Sequence, residues 1–503
     1  MNARKYLLTL ASLLVLVGHL AAAQPRDQSF IVAQAADTRG LSPLSSTNQQ
    51  EKNISNQVVE RLVQWTPDGT GFVPVLAESW VQTADDTLQI NLRQGVSFTN
   101  GEPFDASAAK YSLEKMLAAT PYASFVGFID HVDVVADHTI NVVAKGPASQ
   151  GLLLNALAMG SFQYPPVYTE EVGLLEGFAT KPIGTGPFSF VEWVKDDHIT
   201  LQANPDYWGG APKVAYLVFR PITESAARVA ALEAGDVDFI IDVPLASFAR
   251  LNANPDLVAI ASPGGRAYSL TITTLDPNSP LANVEVRRAL QYAVDPDGII
   301  EFILQGHGSR LTQVVAPTTF GFNPDIPQLS YDPQKTRDML AAAGYPNGLN
   351  LNFDYAISGY PLGKEISEFI ASQLEEAGVT VNQNVLEYGE YLNRLVTLRL
   401  VDLFYGGSLT PPDAQFAYPA YTCGFRYSYF CNEQYDTIFR GASLLVDDAE
   451  RTAAYQQLAQ ILYDQAAVIP LFTMDDFWAH RADLEGWVPM RDQFLDFTHI
   501  SLR

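Results

Sequence analysis

Apolar and polar positions fall into distinct blocks along the chain. Residues 7–20 form an apolar run relieved only by small residues and His19. Beyond it the blocks become short and amphipathic. Residues 30–33 read as a strand. Ile54, Val58, Val59, Leu62 and Val63 recur at helical spacing and predict a helix over 53–65. Residues 88–92 alternate as a half-buried strand does. Asn100-Gly101 and Pro103 mark a turn, and Asp105 then stands as the N-cap of a helix over 106–118. Two strands, 132–135 and 139–143, meet at a turn, and Pro182–Pro187 reads as a sharp loop. Strands at 199–202, 217–220 and 237–241 surround a helix over 224–234 that Gly235 ends.

Past Pro277 the pattern restarts. Helices are predicted over 283–294, 297–305, 332–343, 363–377, 388–398 and 448–465. Strands are predicted at 349–355, 379–386, 400–405 and 468–472, with 400–405 opening into a Gly/Pro loop. This alternation makes the chain α/β, with parallel strands and helices on the faces of a sheet.

Length and charge narrow the classes. At 503 residues the chain has room for about three domains and a large core. The net charge of −25 excludes a nucleic-acid-binding role and attraction to anionic membranes. Arg4 and Lys5, the apolar run and Ala21-Ala22-Ala23 before Gln24 form a cleaved secretory signal over residues 1–23. The run is about 14 residues, short of the ~20 that span a bilayer. No cysteine stands near the cleavage site for lipid attachment. The expected product is a periplasmic protein that is not a lipoprotein. In that oxidising compartment the only cysteines, Cys423 and Cys431, are expected to pair. The short loop they close would be stabilised by roughly 2–3 kcal/mol.

Four stretches carry a resemblance. The first is Val75-Leu76-Ala77-Glu78-Ser79-Trp80 with Leu92–Phe98 and Gly101-Glu102-Pro103-Phe104-Asp105-Ala106. The second is Pro182-Ile183-Gly184-Thr185-Gly186-Pro187-Phe188, followed by Asn204-Pro205-Asp206-Tyr207-Trp208-Gly209-Gly210. The third is Glu233-Ala234-Gly235-Asp236-Val237-Asp238, and the fourth runs from Val286 to Asp295. In order and spacing they resemble the extracytoplasmic solute-binding proteins of ABC importers, the peptide/nickel-type group called family 5. These motifs speak for a fold rather than a ligand. Gly184 and Gly186 are expected to allow backbone angles closed to other residues, and Trp80, Trp193, Tyr207 and Trp208 to fill cores.

The resemblance implies a two-lobed periplasmic-binding-protein fold (type II, large cluster) with an extra subdomain inserted in lobe I. Carried onto this chain, lobe I comprises 24–60, 184–268 and 476–503, the inserted subdomain 61–183, and lobe II 269–475. It also implies a non-enzymatic receptor that works without a cofactor, as a monomer, and delivers its ligand to a permease and ATPase complex.

The chain departs from its dipeptide-binding relatives where they hold a zwitterion. Their ammonium-binding Asp follows a GW pair. Here that loop reads Tyr405-Gly406-Gly407-Ser408-Leu409-Thr410-Pro411-Pro412-Asp413, with Gly407 in place of the tryptophan and Thr410 in place of the Asp. Their carboxylate-binding Arg aligns with Ile357 in the loop before Gly363. A free dipeptide would leave both charges unpaired in a closed cleft. An oligopeptide held elsewhere along its length remains open, and so does a neutral ligand such as an oligosaccharide. The expected ligand-binding residues are Thr47, Asn48, Tyr268, Ile357, Tyr360, Tyr405, Thr410 and Asp413. Thr410 and Asp413 would exchange hydrogen bonds with the ligand, Ile357 would line an apolar wall, and the tyrosines would stack. An exported hydrolase is the remote rival: no Gly-x-Ser-x-Gly elbow or His-Glu-x-x-His pair occurs. The histidines show no metal-ligand clustering, so no metal site is expected.

Overall fold

The computed structural model describes residues 26–45 and 49–503. The export signal therefore lies outside the described residues. One mixed sheet organises the molecule. Its strands are β1 (Ser29–Gln34), β2 (Phe188–Val194), β3 (His198–Ala203), β4 (Tyr216–Pro221), β5 (Phe239–Ile241), β6 (Leu257–Ile272), β7 (Leu349–Ala356), β8 (Val379–Leu386), β9 (Leu403–Leu409) and β10 (Val468–Arg481). Their order across the sheet is β8-β7-β9-β6-β10-β5-β1-β4-β3-β2, with the short strand Gly308–Arg310 also on β10. Parallel pairing joins β1 to β4 and β5, and β7 to β8 and β9.

The two long central strands are antiparallel. They pair from Leu257↔Arg481 at one end to Thr271↔Val468 at the other, with an interruption between Pro263 and Ala267. One lobe hangs on β1–β5 and the other on β7–β9, so β6 and β10 are the crossings between them. Each lobe has its own core. Phe30, Phe219, Phe239, Trp478 and Phe497 belong to the first, which continues under a four-stranded antiparallel sheet built from Ala77–Ala84, Thr87–Leu92, Thr139–Ala144 and Ile129–Ala136. Leu270, Leu290, Phe353, Ile370 and Leu403 belong to the second.

Several sequence expectations need correction. The stretch expected as a helix over 53–65 is a helix over Gln49–Ser55, then a strand over Val63–Trp65. Val58, Val59, Leu62 and Val63 are all buried, so helical spacing carried no amphipathic information there. After the helix the backbone turns over 56–58, and tertiary hydrogen bonds engage that turn: Gly186 N donates to Val58 O at 2.9 Å and Phe188 N to Gln57 O at 3.0 Å. This explains the Pro182–Phe188 motif differently from the expectation. Neither Gly184 nor Gly186 has a positive φ. A Cβ on Gly184 would lie 1.9 Å from Val58 O, and one on Gly186 2.6 Å from Gln57 O, so space rather than torsion demands glycine. Tyr207 and Trp208 are partly buried as expected, and both donate to the buried Glu60, at 2.7 and 2.9 Å. The strand expected to end at 405 runs on through Gly406 and Gly407 to Leu409, and the one expected over 468–472 continues to Arg481. The Cys423–Cys431 disulfide is present, with a Cα–Cα distance of 4.4 Å.

Two glycine substitutions separate space from torsion. Gly184→Ala is expected to cost on the order of 3 kcal/mol because backbone must move. Gly95→Ala is expected to cost only about 1 kcal/mol, since its φ is +73° but nothing lies within 4 Å of the added Cβ. Urea unfolding measures both; equal losses would refute the packing account of Gly184.

Candidate functional site

A cavity of about 370 Å³ opens between the lobes, within the usual size of a small-molecule site. One wall comes from the 69–72 turn and from Asn155 on the helix Gln150–Gly160. The facing wall comes from Thr318, Thr319, Phe320, Pro412 and Asp413. Asp448 and Arg451 also line it, beside the hydroxyls of Thr70, Thr318 and Thr319 and the amide of Asn155, and Thr319 Oγ1 is buried without a partner.

Asp413 lines this cavity, but its charge is already committed. Its Oδ2 accepts from Arg451 at 2.6 Å and its Oδ1 from the Gln415 amide at 2.9 Å. Burial pushes the carboxyl up and the guanidinium pulls it back. Arg451, on the helix Asp448–Asp464, also donates to Ser149 Oγ at 2.8 Å, reaching across to the opposite lobe. The pair therefore closes a wall of the cavity instead of presenting a free carboxylate to a ligand.

Arg491 stands at the cavity's edge. Its backbone N donates to Pro67 O, and its side chain passes Gly69, where an added Cβ would lie 3.3 Å from Cδ. The guanidinium hydrogen-bonds Thr318 Oγ1 and reaches Thr410 Oγ1 at 3.3 Å. No acidic side chain ion-pairs with Arg491 among the described residues. Thr410, expected to bind ligand directly, is buried and gives both its N–H and its hydroxyl to Gly265 O, at 2.7 and 3.0 Å. Its hydroxyl oxygen thus orients Arg491.

The tyrosines converge, though mainly on one another. Tyr268 on β6 and Tyr405 on β9 stack at 5.8 Å, and Tyr360 meets both edge-on at 6.1 Å. Tyr268 and Tyr405 are buried, and only Tyr360 is partly open. Gly407 lets this cluster form beside a cation: a Cβ there would lie 2.8 Å from both Arg266 Cδ and Tyr268 Cε1. The space that a side chain at 407 would need is taken by Arg266, whose guanidinium donates to Gly407 O at 2.8 Å. Ile357 is 47% exposed and its N–H donates to Leu386 O, so it belongs to an open loop rather than a sealed wall. Thr47 and Asn48 lie outside the described residues.

Sequence reasoning passed over Arg266, Arg491, Arg451 and Asp476. Two signals pointed to them. Gly264-Gly265 interrupts a strand-forming run, a mark of a bulge. Asp475-Asp476 sits within the apolar stretch 468–481, where burial of acid needs a reason. Among the described residues no group of three or more His, Cys, Asp or Glu is placed to hold a metal ion, and no helix is long and apolar enough to cross a membrane.

Comparison with known proteins agrees with this fold. Residues 71–428 match the family model described as bacterial extracellular solute-binding proteins, family 5 Middle. Heme-binding protein A of Haemophilus influenzae is 29% identical, over 92% of this chain and 90% of that protein. Glutathione-binding protein GsiB of Pectobacterium atrosepticum is 27% identical, over 94% of each. The ABC transporter-associated periplasmic binding protein DppA from Helicobacter pylori, solved with the peptide STSA, superposes with a TM-score of 0.77 at 25% identity, covering 94% of this chain and 98% of that one.

Two carboxyls, Glu60 under Tyr207 and Trp208 and Asp476 on β10, make stability depend on pH. Burial raises Glu60 and Asp476 to about 7 each. The folded chain therefore keeps protons that the unfolded chain has lost above about pH 4. Their contribution is complete at the acid end of that interval and lost as pH rises through about 7. The unfolding temperature of the ligand-free protein is expected to fall between about pH 5 and about pH 8, with a shallower fall in Asp476→Asn. A rising temperature over that interval would contradict the burial of these acids.

Proposed function

Because the chain belongs to the bacterial extracellular solute-binding proteins of family 5, we propose that it captures a peptide or peptide-like solute bearing a carboxylate between its lobes. Proteins of this family are transport receptors and not enzymes, and this chain is the substrate-binding protein of an ABC importer. In our reading, residues 1–23 direct export to the periplasm. Lobe I is 24–60, 184–268 and 476–503, with 61–183 inserted, and lobe II is 269–475.

Arg491 carries the proposal. It is a partly buried cation at the edge of the interlobe cavity, with no carboxylate partner among the described residues and with hydrogen bonds to Thr318 and Thr410. Burial lowers its pKa from the ordinary guanidinium value, and the Asp68 carboxylate nearby offsets only part of that. A ligand carboxylate supplies the missing partner in fork geometry. Since Arg491 enters from the 476–503 segment and both threonines from the 269–475 segment, a ligand on its guanidinium favours the closed arrangement by touching both sides. The peptide-bound H. pylori relative is consistent with this class of ligand.

A neutral, hydroxyl-rich solute is the second reading. It is favoured by the neutral hydrogen-bonding groups of Thr70, Asn155, Thr318 and Thr319 in the lining, by the mutual neutralisation of Asp413 and Arg451, and by the free hydroxyl of Thr319.

Mass spectrometry of whatever the protein releases on denaturation is expected to show a carboxylate-bearing, peptide-like molecule; a saccharide would replace the first reading with the second. Titration calorimetry with a tripeptide pool is expected to show Arg491→Ala binding about 10- to 100-fold more weakly than wild type, the loss for a hydrogen-bonded charge. Unchanged affinity would remove Arg491 from the site.

A further inference from the structure

Ser149 and Arg451 meet across the lobes with both side chains buried: Arg451 Nη1 donates to Ser149 Oγ at 2.8 Å. Arg451 belongs to the helix Asp448–Asp464, which packs in a core with Ala414, Tyr418 and Tyr435. Ser149 precedes the helix Gln150–Gly160, whose Leu152, Leu153 and Leu157 lie in the first core. Each partner is fixed by its own side. Asp413 Oδ2 accepts from Arg451 Nη2 at 2.6 Å, and Cζ lies 4.5 Å from the centre of the Phe320 ring. Ala148 N donates to Asp85 O and its carbonyl accepts from Gln82 Nε2, both at 2.8 Å. Within this cluster the bond from Nη1 to Ser149 Oγ is what spans the gap.

The place where Arg451 docks would repel a bare cation. Ser149 Oγ caps its helix by accepting from Leu152 N at 3.2 Å, so Arg451 meets the positive end of the helix dipole. Asp413 removes that obstacle by neutralising the guanidinium, and Asp448 Oδ1, 3.6 Å from Nη1, adds to it. The helix end therefore accepts a charge pair where it would reject the arginine alone. An apolar contact stands beside the polar one. Phe416, three residues after Asp413, lies 5.7 Å from Phe125 between ring centroids. Phe416 packs against the first core although its neighbour Ala414 belongs to the other. One short segment thus supplies both the neutralising acid and the apolar anchor.

We propose that Arg451, neutralised by Asp413 and docked on Ser149, forms with Phe416 on Phe125 a latch that holds the lobes closed in the absence of solute. Opening leaves the Asp413–Arg451 pair intact within its own lobe, so the latch releases without stranding a charge. Solute then reaches the cavity through a minor open population, and association slows by that fraction. The latch operates whichever solute the cavity takes.

Small-angle X-ray scattering tests it on the mature chain, stripped of solute by dialysis and checked empty by mass spectrometry after denaturation. Wild type is expected to match the profile calculated for the closed lobes. In Ser149→Gly/Phe125→Ala the ratio of open to closed is expected to rise at least about tenfold, with unchanged far-UV circular dichroism, because glycine remains a tolerable N-cap. Asp413→Asn is expected to open as well, by leaving Arg451 charged at the helix end. An open profile for empty wild type would overturn the latch. So would a double variant as closed as wild type, since Arg491 on Thr318 and Thr410 would then suffice. An Asp413→Asn protein as closed as wild type would overturn the neutralising role of Asp413. The wild-type measurement stands whether or not the variants fold.

Discussion

The pairing of β6 with β10 is the constraint on which the rest depends. These strands run through both lobes, and their ladder from Leu257↔Arg481 to Thr271↔Val468 joins the two halves of one sheet, each with its own core. A continuous ladder would make the two lobes one rigid body. The interruption between Pro263 and Ala267 frees Gly264 and Gly265 from pairing with β10, while Arg266 pairs with Leu409 of β9. The Gly265 carbonyl then takes its hydrogen bonds from Thr410. The site exists where the axle of the fold is bent.

Charge is arranged unevenly around that bend. Asp413 and Arg451 neutralise each other and are fully buried, and Arg451 ties Ser149 of the opposite lobe into the same cluster. Such a pair adds little net stability, but losing one member strands the other. Arg491 and Asp476 differ: each is held in place by neutral groups and neither has an opposite charge within ion-pair distance among the described residues. In a chain with net charge −25, an unpaired arginine in a cleft is conspicuous, because an acid from the surplus could have paired with it.

The legible part of the fold was the part with strong period and local chemistry. Asp105 caps its helix through Ser107 N and Ala108 N, Gly235 and Gly378 end theirs with positive φ, and the strand over Val379–Leu386 lies where its alternation predicted. The illegible part was decided by burial from all sides. At 58–63 the apolar residues keep helical spacing, yet the chain turns at 56–58, where Gly184 and Gly186 pack against its backbone, and becomes a strand at Val63. At 406–409 the glycines read as loop, but β6 supplies a full antiparallel partner.

The site divides in the same way. By itself the sequence carried the motifs whose resemblance to family 5 implies a two-lobed receptor, the two cysteines that pair, and the identities of Ile357, Gly407 and Thr410 in their loops, because these lie in local residue identity and order. It could not show that Gly407 makes room for Arg266, that Asp413 is spent on Arg451, or that the Arg491 guanidinium rests on Thr318 and Thr410. Those residues are separated by tens to hundreds of positions, and only the crossing of the lobes brings them together. Which charges are free is a property of three-dimensional pairing, and no local pattern along the chain encodes it.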